Sequence, residues 1–277
     1  MEIQVKRLDL IHPEAPGNKY FKLKYNLLKA EEQQAKVIIT PGGPFSNHLH
    51  AVAQACKGRF QTIGLVHGEK PPVLSPTLED CLHAGMHLEF VERTWYSQRN
   101  TEAFKQWVRE EWRESYFVPE GGSNYLGVMG CMEILTAEDK KYDALAVPVG
   151  TATTLAGLLL SAKPEQRILA FPALNDPTLK DRLRSLLYWS VMDDEIADDL
   201  TNKVEWVYDY TFGGFARITP ELQAFIEEQN QRGLPLDRVY TSKMMFGLMD
   251  MQRSGSLDPS TSILAIHTGG LQGNRPA

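Results

Sequence analysis

The chain has 277 residues, with 29 Lys and Arg against 35 Asp and Glu, a formal charge of −6. Its 43% hydrophobic and 23% charged residues are those of an ordinary globular protein, which excludes a disordered, collagenous or fibrous chain. The acidic excess argues against nucleic acid or an anionic membrane as the main partner, because both select for basic surfaces. At about 150 residues per domain the length fits one large domain or two modest ones, and either can bury a core without covalent staples.

Met1 to Arg7 lacks the apolar run of a secretory signal. The longest apolar-leaning stretch, Leu145 to Ala162, is broken by Pro148, Gly150, Thr151, Thr153, Thr154, Gly157 and Ser161, so no membrane span is expected. Cys56, Cys81 and Cys131 form no CxxC pair and are odd in number, which points to reduced thiols and a cytoplasmic location. His83 and His87 stand four apart, a spacing that places both on one helix face, but no third ligand accompanies them and no metal site is expected.

In chain order, Gly17-Asn18-Lys19 precedes Tyr20 to Leu28, which reads as a helix with Leu23, Leu27 and Leu28 on its apolar side. Asn18 stands where a cap belongs, which puts Lys19 in the first turn. There the charge opposes the helix dipole and favours the neutral amine that a Schiff base requires. A solvated lysine on an amphipathic helix is the plain alternative. Val37 to Thr40 is a short strand, followed by the turn Pro41-Gly42-Gly43-Pro44 and by a helix to Ala55 that Ser46 or Asn47 can cap. Thr62–Val66 and His87–Val91 read as strands, and Thr77–Ala84 between them as a helix stopped by Gly85. Phe104, Trp107, Val108 and Trp112 form a helical packing stripe. Tyr116 to Pro119 then leads into the glycine turn Glu120 to Asn124. Ala144–Val149, Arg167–Phe171, Val204–Tyr208 and Ile263–Ile266 read as strands, and Pro220–Gln231 and Thr241–Arg253 as helices. Leu186 to Leu200, with Asp193, Asp194, Glu195, Asp198 and Asp199, reads as one solvated helix near a cleft rim. This alternation predicts an α/β fold with parallel sheets, whose ligands sit beyond the carboxyl ends of strands.

Three strand–helix turns can aim backbone amides and a helix dipole at one anion: Gly42 to His48, Gly121 to Gly127, and Gly150 to Thr154. The last adds three hydroxyls. No Walker lysine follows it, and no GxGxxG with a downstream acid occurs, so neither a nucleoside triphosphate nor a dinucleotide is indicated. Each turn alone reads first as an ordinary strand–helix connection.

Six segments in order along the chain carry a resemblance. They are Gly17-Asn18-Lys19, Phe45-Ser46-Asn47-His48, Pro119 to Asn124, Gly150 to Gly157, Leu236 to Lys243, and Ile266-His267-Thr268-Gly269-Gly270. Together they are similar to the pyridoxal-phosphate enzymes that include 1-aminocyclopropane-1-carboxylate deaminase and D-cysteine desulfhydrase, of the tryptophan synthase β-like fold. The resemblance implies a two-lobed α/β protein with open, twisted, mostly parallel sheets flanked by helices and pyridoxal 5'-phosphate between the lobes. Residues 34–121 would form the small lobe, and residues 1–33 with 122–277 the large cofactor-binding lobe. A homodimer acting on a small amino acid is expected.

By the same resemblance, Lys19 would bind the cofactor covalently and later shuttle the substrate's Cα proton. Asn47 would hydrogen-bond the cofactor's ring oxygen. Ser46, with the amides that open its helix and with Asn47 and His48, would hold the substrate. The loop Gly150, Thr151, Ala152, Thr153 and Thr154 would cradle the phosphate. Tyr240 would stand near the substrate as a catalytic residue. Thr241 would be the partner of the pyridine nitrogen, and Thr268 would border the cofactor.

The deaminase pattern has glutamate after the tyrosine and leucine after the late histidine, whereas this chain has Thr241 and Thr268, as in the desulfhydrase pattern. A carboxylate favours a protonated pyridinium and a strong electron sink, and a hydroxyl does not. β-Elimination with a good leaving group needs less sink than opening a cyclopropane, so elimination from D-cysteine is the expectation. The alternatives are the cyclopropane deaminase and a cofactor-binding protein with little turnover. Departures from the pattern are Ala152 and Thr153 at glycine positions, Phe21 for an arginine, Leu126 for a proline and Ser242 for a glycine. Only 18 residues precede Lys19, where the family usually has some tens more, so stability or oligomer contacts are expected to differ.

Overall fold

Strand and helix alternate through β1 (Ile3–Arg7), α1 (Asn18–Glu32), β2 (Val37–Gly42), α2 (Asn47–Cys56), β3 (Gln61–His67), α3 (Pro76–His83) and β4 (Met86–Val91). They continue through α4 (Arg93–Tyr96), α5 (Glu102–Glu111), β5 (Ser115–Phe117), α6 (Tyr125–Met132), β6 (Ala144–Val149), α7 (Thr153–Ser161) and β7 (Arg167–Pro172). The chain ends with α8 (Leu179–Val191), α9 (Asp194–Asn202), β8 (Val204–Trp206), α10 (Pro220–Gln231), α11 (Thr241–Arg253) and β9 (Ile263–His267). The computed structural model describes residues 3–12, 16–214 and 216–275.

The strands form two sheets, both wholly parallel. One has the order β1-β9-β6-β7-β8 and the other β4-β3-β2-β5. Because parallel strands are covered on both faces, β2, β6 and β9 are near-continuous apolar runs; every residue of β6 and β9 is buried. The turns that follow these strands, Gly43 to Ser46, Gly150 to Ala152 and Thr268 to Gly270, therefore open on one side of the molecule, where α/β sheets hold their ligands.

Helix α1 joins the two sheets. Its Phe21 packs in the core of α6, α7 and β6, while Leu23, Leu27 and Ala30 pack in the core of α2, α3 and β2. These four residues divide one helix between the two cores, and Tyr20 packs against both, which fixes its N-terminus between them. Aromatic packing fills the far side of the smaller sheet, where Trp95, Phe104 and Trp107 meet ring to ring.

Several expectations need correction. The cap of α1 is Gly17, in a positive-φ conformation (φ +81), and Asn18 is the first helical residue. The reason is steric: a Cβ at position 17 would lie 2.1 Å from the Thr268 carbonyl oxygen, so only glycine admits the approach. Residues 186–200 are not one helix. Met192 takes a left-handed conformation (φ 56) that ends α8, and the Asp193 side chain caps α9 by accepting from the Ile196 amide. None of these residues borders the cleft described below; Asp194 and Asp198 instead pair with Arg184. His83 ends α3 and His87 lies in β4, so they share no helix face. Strand β1 and the single turn α4 had no counterpart in the pattern, β1 because its polar residues hide an edge strand. Among the described residues no helix is long and apolar enough to cross a membrane. Cys56, Cys81 and Cys131 are all buried free thiols.

Candidate active site

A cleft of about 710 Å³ runs between the two sheets. It is bordered by Lys19, Ser46, Asn47, His48, Gly150, Thr151, Ala152, Thr154, Tyr240 and Thr268. Ten of the twelve residues singled out in the sequence thus converge, although up to about 250 positions separate them. Thr153 and Thr241 stand behind the wall, fully buried.

Lys19 is the second residue of α1. Its Nζ donates to Asn18 Oδ1 (2.9 Å), and Asn18 Nδ2 donates in turn to Thr154 Oγ1 (2.9 Å). Asn18, expected as a cap, instead ties the lysine to the start of α7. Burial pulls the Lys19 amine down to about 7, helped by the positive charge of Lys22 and opposed by Asp237. A large fraction of it is therefore an unprotonated nucleophile at neutral pH.

The loop after β6 carries the anion-binding geometry. Ala152 caps α7 in a left-handed conformation (φ 65) with no side-chain cap, so among the described residues the first-turn amides lack the usual capping oxygen. For an alanine that conformation costs about 1 kcal/mol, which is retained where glycine would be free of strain. Thr151 and Thr153 join hydroxyls at 3.0 Å, and the buried Lys22 ammonium reaches Thr151 Oγ1 at 3.3 Å. Uncapped amides, a helix dipole, hydroxyls and one cation make a site whose chemistry suits an anion such as phosphate. A side chain at Gly150 would displace Tyr240, since its Cβ would stand 2.9 Å from Tyr240 Cε1.

On the opposite wall, Ser46 caps α2 by accepting from the amides of His48 and Leu49, both at 3.2 Å. Gln272 Nε2 donates to Asn47 Oδ1 (2.5 Å), orienting that carboxamide and leaving Nδ2 as its donor into the cleft. His48 Nε2 lies 2.9 Å from Thr40 Oγ1, whose own proton goes to the Val118 carbonyl (2.8 Å). The threonine must therefore accept, which fixes Nε2 as N–H; among the described residues Nδ1 has no partner at full hydrogen-bond geometry, and the Pro119 backbone lies beside the ring. Burial and the neighbouring lysines hold this imidazole well below its usual value, so it is neutral.

At the floor, Asp237 Oδ1 accepts from the amides of Val239 (2.9 Å) and Tyr240 (2.8 Å), and Oδ2 accepts from the Thr241 amide (2.7 Å) and hydroxyl (2.5 Å). The other cleft acids are also engaged. Glu120 takes Tyr96 and Arg99, and Asp176 takes Thr178 and Arg182. Among the described residues the cleft thus offers no free carboxylate. Thr268, at the end of β9, accepts the Asn18 amide on its carbonyl (3.1 Å) and so anchors the start of α1.

No family model matches the chain. A Pyrococcus horikoshii protein provisionally named 1-aminocyclopropane-1-carboxylate deaminase is 31% identical over 281 residues, spanning 98% of this chain and 85% of that protein. The chain belongs to the 1-aminocyclopropane-1-carboxylate deaminase/D-cysteine desulfhydrase family. A mitochondrial Arabidopsis thaliana member, named as a bifunctional D-cysteine desulfhydrase and 1-aminocyclopropane-1-carboxylate deaminase, is 29% identical over 98% of this chain and 73% of its own. A crystal structure of a homologue of the deaminase superimposes with a TM-score of 0.77 at 28% identity, over 98% of this chain and 85% of that one. The fold is therefore the two-sheet α/β arrangement of that family.

In this family member, three contributors to the site escaped the sequence reading. Lys22 follows Lys19 by three residues on one helix face, a spacing that could have marked it. Asp237 precedes Thr241 by four residues, the signal of a side-chain cap. Gln272 carried no signal, since its role depends on the chain returning beside Asn47.

Proposed function

We propose that the protein is a pyridoxal-phosphate-dependent lyase acting on a small D-amino acid, with D-cysteine giving pyruvate, ammonia and hydrogen sulfide. The residues present fit the cofactor: an amine of depressed pKa stands at Lys19, and an uncapped helix start flanked by hydroxyls and Lys22 suits its phosphate. When bound, pyridoxal phosphate withdraws electrons from Cα, which acidifies its proton and drives out the β-substituent.

The chain's own groups divide the remaining work. Lys22, Thr151, Thr154 and the α7 amides hold the phosphate. Asn47 Nδ2, oriented by Gln272, donates to the ring oxygen. The Ser46 hydroxyl at the start of α2 donates to the substrate carboxylate, favoured by the helix dipole. Lys19, once free, takes the Cα proton, because a depressed pKa lets it accept and return a proton near neutral pH. Tyr240 borders the same space. A homodimer is the proposed working form, on the family resemblance, and a cytoplasmic location is proposed from the three free thiols.

One observation carries the choice of substrate: Glu120, Asp176 and Asp237 are all engaged. With no carboxylate to hold a protonated pyridine nitrogen, the electron sink is modest, which suits expulsion of hydrosulfide better than opening an unactivated ring. The sequence difference at Thr241 and Thr268 supports the same reading.

The experiment is an absorbance spectrum of the purified protein with cofactor beside Lys19→Ala, followed by product analysis. A visible lysine–cofactor band lost in the variant, with pyruvate released from D-cysteine, is the expected result. Absence of the band overturns the cofactor assignment. Dominant 2-oxobutyrate from the cyclopropane amino acid overturns the substrate assignment, and neither product with the band intact makes it a cofactor-binding protein.

A further inference from the structure

Lys243 is the third residue of α11 and is 1% exposed. A lysine there is costly twice over: the charge is buried, and it sits in a first turn whose dipole repels it. No carboxylate pairs with it among the described residues; Asp237 acts on it only through space. Its Nζ donates instead to three main-chain carbonyls, Ala173 at 2.8 Å, Thr211 at 2.8 Å and Gly214 at 2.7 Å. All three ammonium protons are used. Burial pulls the amine down to about 8, opposed by the charge of Asp237, so the group is mostly charged at neutral pH.

A desolvated unit charge caged by backbone carbonyl oxygens is the chemistry by which proteins bind potassium and ammonium ions. The cage also has a location that matters. Ala173 directly precedes Leu174 and lies three residues before Asp176, and Gly214 shortly precedes Ala216 and Ile218; all four of those residues border the cleft. Segments that follow β7 and β8 are thus tied by one charge to the helix whose N-terminal cap is Tyr240.

We propose that the Lys243 ammonium is a built-in monovalent cation that clamps this wall of the cleft, and that truncating it converts the carbonyl cage into a site for potassium or ammonium. Lys243 is a positioning residue, and its role goes beyond the proposed lyase activity. The test reads the cofactor-free protein, so it does not depend on which substrate is right.

Thermal unfolding of wild type and Lys243→Ala would be followed in potassium, ammonium and choline chloride at equal ionic strength. Wild type should unfold at one temperature in all three. The variant should unfold earlier in choline chloride and regain stability with potassium or ammonium, to saturation. Lys243→Met, which fills the space with an uncharged chain, should show no such response. Identical midpoints for the Ala variant in all three salts, an equal response in wild type, or an equal response in the Met variant would overturn the proposal. Should the Ala variant be unfolded in choline chloride, recovery of near-ultraviolet circular dichroism with potassium or ammonium supports the clamp. No recovery with either ion refutes it.

Discussion

Thr241 and Asp237 satisfy one another reciprocally: the Thr241 hydroxyl donates to Asp237 Oδ2 at 2.5 Å and accepts from the Asp237 amide at 2.8 Å. Both residues are buried, Thr241 completely and Asp237 to 1% exposure. The hydroxyl's only proton is therefore committed to the carboxylate, and a role toward a ring nitrogen would require it to leave that bond. The pair also holds the segment 237–240 in a tight cap, which aims Tyr240 at Gly150.

Thr241→Val, nearly isosteric, should therefore destabilise the protein by about 2–3 kcal/mol, since it orphans the buried Asp237 amide and takes from Oδ2 one of its two donors. Thr241→Ser keeps both hydrogen bonds and should lose only about 1 kcal/mol of methyl burial. Urea unfolding of the two variants separates the cases. A valine variant as stable as the serine one would show that the pair contributes no stability.

The depressed Lys19 amine makes a pH prediction with a definite sign. Below about 7 the amine is protonated and inert, and above it the neutral form dominates, so the rate at which cofactor-free protein takes up pyridoxal phosphate should rise through that pH. Burial is the larger cause and the charge of Lys22 the second. Lys22→Met removes the second cause only, so the midpoint should move to higher pH while staying below that of an exposed lysine. A midpoint that stays fixed or falls would mean that Lys22 does not act on Lys19. Reductive methylation with a small aldehyde gives the same readout without the phosphate contact.

Gly17→Ala tests the contact that sets the start of α1. The added Cβ would meet the Thr268 carbonyl oxygen at 2.1 Å in a conformation of φ +81. Strain and overlap together should cost about 2–4 kcal/mol, and the shifted helix start should slow cofactor uptake by Lys19. The control is Gly58→Ala, which shares a positive φ (+74) but meets nothing within 4 Å, and so should lose only the backbone strain of about 1 kcal/mol. Equal losses in the two variants would remove the close approach from the explanation.

By itself the sequence determined most local features: the main strands and helices, apart from the edge strand β1, the single turn α4 and the break at Met192, and where hydroxyl or glycine turns follow strands. Pro220–Gln231 and Thr241–Arg253 fall at the bounds read from their periodicity, because side-chain pattern and capping are short-range. The order of motifs was legible for the same reason. What the tertiary structure alone decided is which groups meet. Asn18, capable of capping by its chemistry, became the tether between Lys19 and Thr154 because Thr268 approaches Gly17 too closely for any other residue. Lys22 reads as a helix-surface lysine until α7 is brought against it. Asp237, Glu120 and Asp176 are three unremarked acids in the sequence, and their engagement depends on partners up to 24 positions away. Lys243 is the clearest case: its three carbonyl acceptors lie 29 to 70 residues distant and are main-chain atoms. Every residue has a carbonyl, so no residue type marks such an acceptor, and only the path of the backbone shows where a cage forms.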